Sequence, residues 1–426
     1  MSARNRELVF LLPALILTTL GFALVYTQKV SLLTWSSLTY GGLFLALFLI
    51  AHLGRRVLAP KADPFLLPVT ALLSTLGIVL LYRLNERLAL RQAMWLVVGL
   101  AAFLLVLLLV RRLQALANLR YVLGGTGLVL LLITAIVGRE INGAKLWVHL
   151  GPVSFQPGEL AKILLILFFA AYLVDMREVL TVSTRRVLGV PLPPFRYLAP
   201  LVAIWGLSMV LVIFVKDLGT GLLFFGALLA LLYVATGRLF YVLVGLFLFA
   251  IGAVGLYYLF PHVQARVDIW LDPWQDPSGR GYQVVQSLFA LAEGGLFGKG
   301  LGQGYLMLPS GRTIIPNLET DFIFSAIGEE LGLAGAAAII LLYLIFTYRG
   351  LRVAVRAKDD FSRLLATGLT STFALQAFLI IGGVTKLIPL TGITLPFVSY
   401  GGSSIVANFV LLALLLRTSN EEESLG

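Results

Sequence analysis

Residues 1–28 read MSARNRELVFLLPALILTTLGFALVYTQ, a basic start followed by about 19 residues without a charge. At 1.5 Å per residue, such a run spans roughly the ~30 Å hydrocarbon core of a bilayer. A cleavable secretory signal has a shorter apolar core and a small-x-small cleavage site, so the run reads as a retained spanning helix. Eleven comparable runs follow, near residues 37–53, 66–82, 93–110, 121–138, 158–174, 198–215, 219–236, 239–260, 320–347, 364–383 and 397–416. Of 426 residues, 59% are hydrophobic and 12% charged, with a mean hydropathy of +0.96. Soluble domains carry roughly 25% charged residues. The fold class is therefore an all-α polytopic integral membrane protein of about twelve transmembrane helices.

Composition also excludes chemistry. The absence of cysteine removes disulfides, thiol nucleophiles and thiolate-ligated metals, and three scattered histidines (His52, His149, His262) make no zinc motif. The net charge of +11 comes from bases spread thinly over short loops rather than from a stripe interleaved with aromatics, which argues against nucleic acid. Of the 32 Lys and Arg residues, nineteen fall in the segments on the N-terminal side of the bundle and twelve on the opposite side, with Lys162 inside a span. That bias sets both termini in the cytoplasm. Twelve bases outside are more than passive loops need, and they suggest an anionic ligand there.

The largest outer segment, 261–318, contains DPWQDPSGRGYQ (272–283), followed by an apolar stretch too short to span. It reads as a loop with a re-entrant or interfacial helix. Charges at membrane depth are costly and mark structure or function. Glu159 and Lys162, three apart on one helical face, can pair; the pair is either structural or the floor of an outward cavity. Asp217 in VKDLGTG reads as a helix N-cap. Glu319 and Asp321 sit at the outer mouth of a span, with Glu329 and Glu330 two turns deeper; the deeper pair needs partners or a solvated cavity. LPFVSYGGSS (395–404) holds broken backbone at membrane depth, tolerated only where protein buries it or a wet cavity receives it. By itself, Asp276 would be a turn-forming Asp-Pro.

Five segments, NGAKLWVHLGPVSFQPGELAK, KDLGTG, DPWQDPSGRGYQVVQSLFALAEGGLFGKGLGQG, TDFIFSAIGEELG and GITLPFVSYGGSS, resemble in order those of the SEDS (shape, elongation, division and sporulation) family that includes RodA, FtsW and SpoVE. The resemblance covers roughly residues 66–417. It implies a ten-helix core over 61–417, so residues 1–60 form an added N-terminal transmembrane hairpin and 418–426 a cytoplasmic tail. Gly158, Glu319 and Lys386 depart from common family residues and leave elongation versus division open.

The resemblance implies a glycosyltransferase that polymerises lipid II into glycan strands on the outer face of the bacterial cytoplasmic membrane. It further implies a class B penicillin-binding protein as partner, membrane lipids as surroundings, and no organic cofactor. The family's essential aspartate carries over to Asp276 and its Glu–Lys pair to Glu159 and Lys162. Conversion of an α-linked diphosphate into a β-1,4 bond is a net inversion, for which one displacement and one general base suffice. The leaving diphosphate needs neutralising by a divalent cation (Mg or Mn) or by Arg and Lys. Arg91, Arg280, Lys299 and Lys386 are candidates for that role. Gln283, Gln286, Ser287, Asp321, Ser399 and Tyr400 are candidates for holding substrate. A lipid-linked precursor flippase and a non-catalytic scaffold for the penicillin-binding protein are the competing readings. A flippase predicts ionisable groups on both sides of a pseudosymmetric bundle.

Overall fold

A computed structural model describes residues 3–30, 35–141, 144–151, 153–181, 185–187, 190–192, 195–308 and 312–424. The chain enters through a hairpin, α1 (Ala3–Val30) and α2 (Trp35–Leu58). There follow α3 (Leu66–Leu84), α4 (Glu86–Leu109), the short α5 (Gln114–Asn118) and α6 (Arg120–Val137). Strands β1 (Arg139–Ile141), β2 (Ala144–Leu150) and β3 (Val153–Phe155) form an antiparallel sheet before α7 (Pro157–Thr181). A small hairpin, β4 (Arg185–Val187) with β5 (Val190–Leu192), leads to α8 (Phe195–Phe214), α9 (Leu218–Thr236) and α10 (Leu239–Leu259). Then come α11 (Pro261–Leu271), one turn of 3-10 helix (Pro273–Gln275), α12 (Tyr282–Gly294), α13 (Ile323–Arg356), α14 (Asp360–Val384) and α15 (Gly402–Ser424).

Eleven helices among the described residues are long and apolar enough to cross a membrane. The twelfth expected span is α7, whose 25 residues suffice by length and which carries Glu159 and Lys162. The protein is a polytopic membrane protein. The two small sheets are additions to the all-α expectation: three to seven residues per strand is too short a run for alternation to stand out from its surroundings.

Apolar pattern decides which helices lie inside. The spans of α3, α14 and α15 are 83%, 72% and 89% buried, whereas α10 is 0% buried, so α10 belongs to the rim. Around the buried three, α1 covers α3, α4 packs on α15, and α7 and α9 pack on α14. Exposed residues such as Phe247, Leu248, Ile16 and Leu20 give the rim an apolar outer surface suited to lipid.

Capping residues fix the turns between spans. Asn85, Asp217 and Asp359 each accept a backbone N–H in the first turn of α4, α9 and α14. Helices α8 and α14 end in matching Schellman turns. Asp217 N–H bonds to Val212 O and Leu387 N–H to Gly382 O, with Lys216 and Lys386 in left-handed backbone at φ 64° and 61°. Within α13 the helix opens at Gly332 (φ 67°), and residues 295–300 enter the gap. There Lys299 and Gly300 N–H bond to the carbonyls of Glu329 and Glu330, and Leu333 and Ala334 N–H to those of Gly295 and Leu296.

The two ends of the chain meet on one face. Glu7 of α1 accepts from His52 Nδ1 at 2.6 Å and pairs with Arg55 Nε at 3.0 Å, all three side chains being buried. Residues 418–421 are a helical clasp rather than the expected tail. Ser419 Oγ, Asn420 Oδ1 and Glu421 Oε1 accept the N–H groups of Asp63, Lys61 and Leu113. The opposite face carries the ends of α3, α6, α8, α10 and α14 together with the 260–322 segment. It is the loop face.

Candidate active site

The site grows from the irregular stretch 385–401 between α14 and α15. Its carbonyls would be orphaned at membrane depth, yet neighbouring helices supply side-chain donors. From α4, Gln92 Nε2 donates to Ser399 O at 3.1 Å, and its Oε1 accepts from Gly401 N–H at 3.2 Å. Tyr343 OH donates to Pro396 O at 2.6 Å, and Gln376 Nε2 to Thr394 O at 2.8 Å. From α11, Arg266 Nη1 donates to Leu390 O and Thr391 O at 3.2 and 2.8 Å, and Trp270 Nε1 to Lys386 O at 3.2 Å. Of the two readings open for LPFVSYGGSS, burial by protein is the one realised.

A column of charge runs beside this stretch. Lys162 Nζ lies 2.8 Å from Glu159 Oε2 and donates to Gln376 Oε1 at 2.8 Å, so the i, i+3 pair is buried with a third partner from α14. Towards the loop face, Asp217 caps α9 with both carboxylate oxygens on Thr220, at 3.1 Å to N and 2.8 Å to Oγ1. Burial pushes its pKa up against those bonds. Arg266 and Asp321 flank Gly392 (φ 73°): a Cβ there would meet Arg266 Nη2 at 3.6 Å and Asp321 Oδ2 at 3.8 Å. Burial raises the Asp321 pKa to about 6, with the Thr320 hydroxyl and Arg266 opposing the rise. Burial also lowers that of Arg266, against the pull of Asp217 and Asp321.

Asp276 stands at the exposed edge. Asp268, Asp272, Asp276 and Arg280 border one shallow open cleft. Asp276 Oδ2 accepts from Arg280 N–H at 2.9 Å, while its main-chain O accepts from Gly279 and Gly281 N–H at 3.3 and 3.0 Å. Its Oδ1 accepts no hydrogen bond among the described residues. Asp272 accepts from Trp274 N–H at 3.1 Å and shapes the turn. Glycine is required at 281, where a Cβ would lie 2.2 Å from Pro273 O, whereas one on Gly279 would press only on the Asp276 carboxylate, a side chain that can rotate.

Several sequence candidates lie elsewhere. Lys299 sits beyond the far end of the 13-residue α12, about 20 Å along its axis from the Asp276 turn. It pairs with Glu293 at 2.8 Å, so it does not share a diphosphate with Arg280. Arg91 is exposed on α4, which packs on α2, α3 and α15 rather than on α11 or α12. Ser287 is fully buried, bonded to Ser325 Oγ at 2.7 Å and Val384 O at 3.1 Å; it joins helices and cannot hold substrate. Ser399 is buried, accepting Leu395 N–H and donating to Thr320 O, and Tyr400 N–H bonds to Glu319 O at 2.8 Å. Gln283 spends its amide on Pro316 O at 3.1 Å, and Gln286 is half-buried. Lys386 remains beside α11 through Trp270.

Glu329 and Glu330 are not solvated in a cavity either. Glu329 accepts Tyr305 N–H, and Glu330 accepts Gly302 N–H at 2.8 Å with Arg83 Nε 3.4 Å away. Sequence reasoning missed Arg83, Gln376, Trp270 and Arg266 as partners. For Arg266 a signal existed: RVDIWLD sets Arg266 and Trp270 on one helical face and Asp268 and Asp272 on another.

A family model described as "Cell cycle protein", covering FtsW, RodA and SpoVE, matches residues 64–424. The chain belongs to this family. The match begins just past α2. Peptidoglycan glycosyltransferase RodA of Mycobacterium bovis is 46% identical over 98% of this chain and 90% of its own length. Stage V sporulation protein E of Bacillus subtilis is 39% identical over 68% of this chain and 75% of its own. A probable peptidoglycan glycosyltransferase FtsW of Legionella pneumophila is 36% identical over 79% and 83%. Among solved structures, a chain from "Structural coordination of polymerization and crosslinking by a peptidoglycan synthase complex" superposes with a TM-score of 0.70. It is 30% identical and covers 85% of this chain and 98% of its own length. Rod shape determining protein RodA of Thermus thermophilus gives 0.59 at 28% identity, covering 85% and 97%. The expectation of a polytopic peptidoglycan glycosyltransferase holds.

Proposed function

We propose that this glycosyltransferase polymerises lipid II at the loop face, with Asp276 as general base. Both chain ends then lie in the cytoplasm and the loop face outside, as the nineteen-to-twelve distribution of bases suggests. The observation that carries the reading is the Asp276 carboxylate: one oxygen is fixed by Arg280 N–H and the other is free at an open cleft.

In the reaction, the GlcNAc 4-hydroxyl of one lipid II attacks the MurNAc anomeric carbon of another. The hydroxyl proton passes to Asp276 as the O4–C1 bond forms. The C1–O bond to the diphosphate breaks, and undecaprenyl diphosphate leaves with the bonding pair and inverted stereochemistry at carbon. The Arg280 and Lys386 side chains offset the developing charge. A divalent cation, Mg or Mn, finds no preformed group of three His, Asp or Glu ligands among the described residues.

A class B penicillin-binding protein is the partner this reading assigns, supplying crosslinks to the nascent strand. The superposition on a chain solved in a polymerising and crosslinking complex supports it. Incubation of the purified chain with labelled lipid II tests the activity. Glycan ladders support polymerisation; their absence even with the partner and a divalent cation favours the flippase or scaffold.

A further inference from the structure

We infer that Arg266 is a positioning residue for Asp276, acting as a latch that holds α11 on the irregular stretch 386–392. The inference rests on the reading of Asp276 given above and deepens it. Helix α11 runs directly into Asp272 and the turn of Asp276. The other side of that turn is fixed to the start of α12 by Gly281 N–H on Asp276 O at 3.0 Å, so a shift of α11 against α12 distorts the turn that holds the aspartate. Helix α10 rests on α9 through Phe249 stacked on Phe225 with ring centroids 5.0 Å apart, but α11 has no fully buried residue, so no packed apolar face of its own locates it. Tyr257 OH on Asp268 Oδ1 at 3.1 Å ties α11 only to α10.

What joins α11 to the bundle is polar. Arg266 grips Leu390 O and Thr391 O, and one turn later Trp270 grips Lys386 O. The two side chains are four residues apart and share a face, while Asp268 and Asp272 turn towards the cleft with Asp276. Around the guanidinium stand Asp217 from the start of α9 and Asp321 from the approach to α13, with His262 and Lys216 nearby. Gly392, bare of a side chain between Arg266 and Asp321, lets the loop approach this closely. One guanidinium nitrogen, Nη1, donates to both adjacent carbonyls, and the planar group holds those directions fixed where an ammonium rotating on a flexible stem does not.

The natural chain has no cysteine, so Ser278→Cys in the exposed Asp276 turn and Val355→Cys on α13 give two unique spin-label sites. Their distance distribution is measured by pulsed EPR in lipid nanodiscs, alongside lipid II polymerisation. The latch predicts a narrow distribution in the parent and a broad one in Arg266→Ala. It also predicts a fall of up to about 100-fold in kcat with little change in KM, since misplacement by an ångström can cost that much. Arg266→Lys gives an intermediate breadth, and so does Trp270→Phe, which deletes only the indole donor. Those two carry the test if Arg266→Ala does not fold. Broadening in a chain that never polymerises lipid II supports the latch and removes the polymerase reading. Distributions unchanged in all three variants overturn the latch.

Discussion

Gly279 lies so close to Asp276 that a Cβ on the glycine would sit 2.4 Å from the aspartate Oδ2. The atom in the way belongs to a side chain that can rotate, not to backbone. Gly279→Ala should therefore fold normally but push the carboxylate off its bond with Arg280 N–H. We predict a loss of about 10- to 100-fold in lipid II polymerisation, the scale of a misplaced general base, with unchanged thermal unfolding. Full activity in this variant would mean that the carboxylate position does not matter.

The Glu159–Lys162 pair makes a different prediction. Removing one partner strands the other in a buried site, typically at about 3–5 kcal/mol, whereas removing both costs less. Thermal unfolding in detergent should show Lys162→Met strongly destabilised and Glu159→Gln with Lys162→Met closer to the parent. Additive losses would show that the two charges do not need each other.

Asp321 predicts a pH dependence. Its folded pKa of about 6 lies above the ordinary value of 3.8, so the folded state holds the proton more tightly. Its contribution to stability is complete below about 3.8 and is lost as pH rises through about 6. The stability difference between the parent and Asp321→Asn should shift against the parent across that window. Parallel unfolding profiles for the two proteins would refute the assignment.

Lys386 combines two features that a substitution can separate. Asparagine tolerates left-handed backbone, so Lys386→Asn keeps the Schellman turn that ends α14 but removes the ammonium. Polymerisation should fall about 10-fold or more if the ammonium offsets diphosphate charge, without a drop in melting temperature. Unaltered turnover would leave Arg280 alone in that role.

Much of the fold was legible because a span needs only length and apolarity, and α1 to α4, α6 and α8 to α10 announce both. The Glu159–Lys162 pair and the Asp217 cap were legible because both are local, set by spacings of three along one helix. Long-range partners were not. Nothing in the local pattern of Arg83 or Gln376 points to Glu330 or Lys162, more than two hundred residues away. Ser287 and Ser399 look like substrate ligands on a polar helix and loop, but tertiary packing turns both inward. The break in α13 was invisible for the same reason. Gly332 opens the helix only because the 295–300 segment is there to take up the freed backbone groups.

The most direct measurement is polymerisation of labelled lipid II by the purified chain and by Asp276→Ala, compared at equal folded concentration. The account predicts glycan ladders from the parent and none above background from the variant, with both proteins unfolding at the same temperature. Ladders of undiminished length and rate from Asp276→Ala would contradict it.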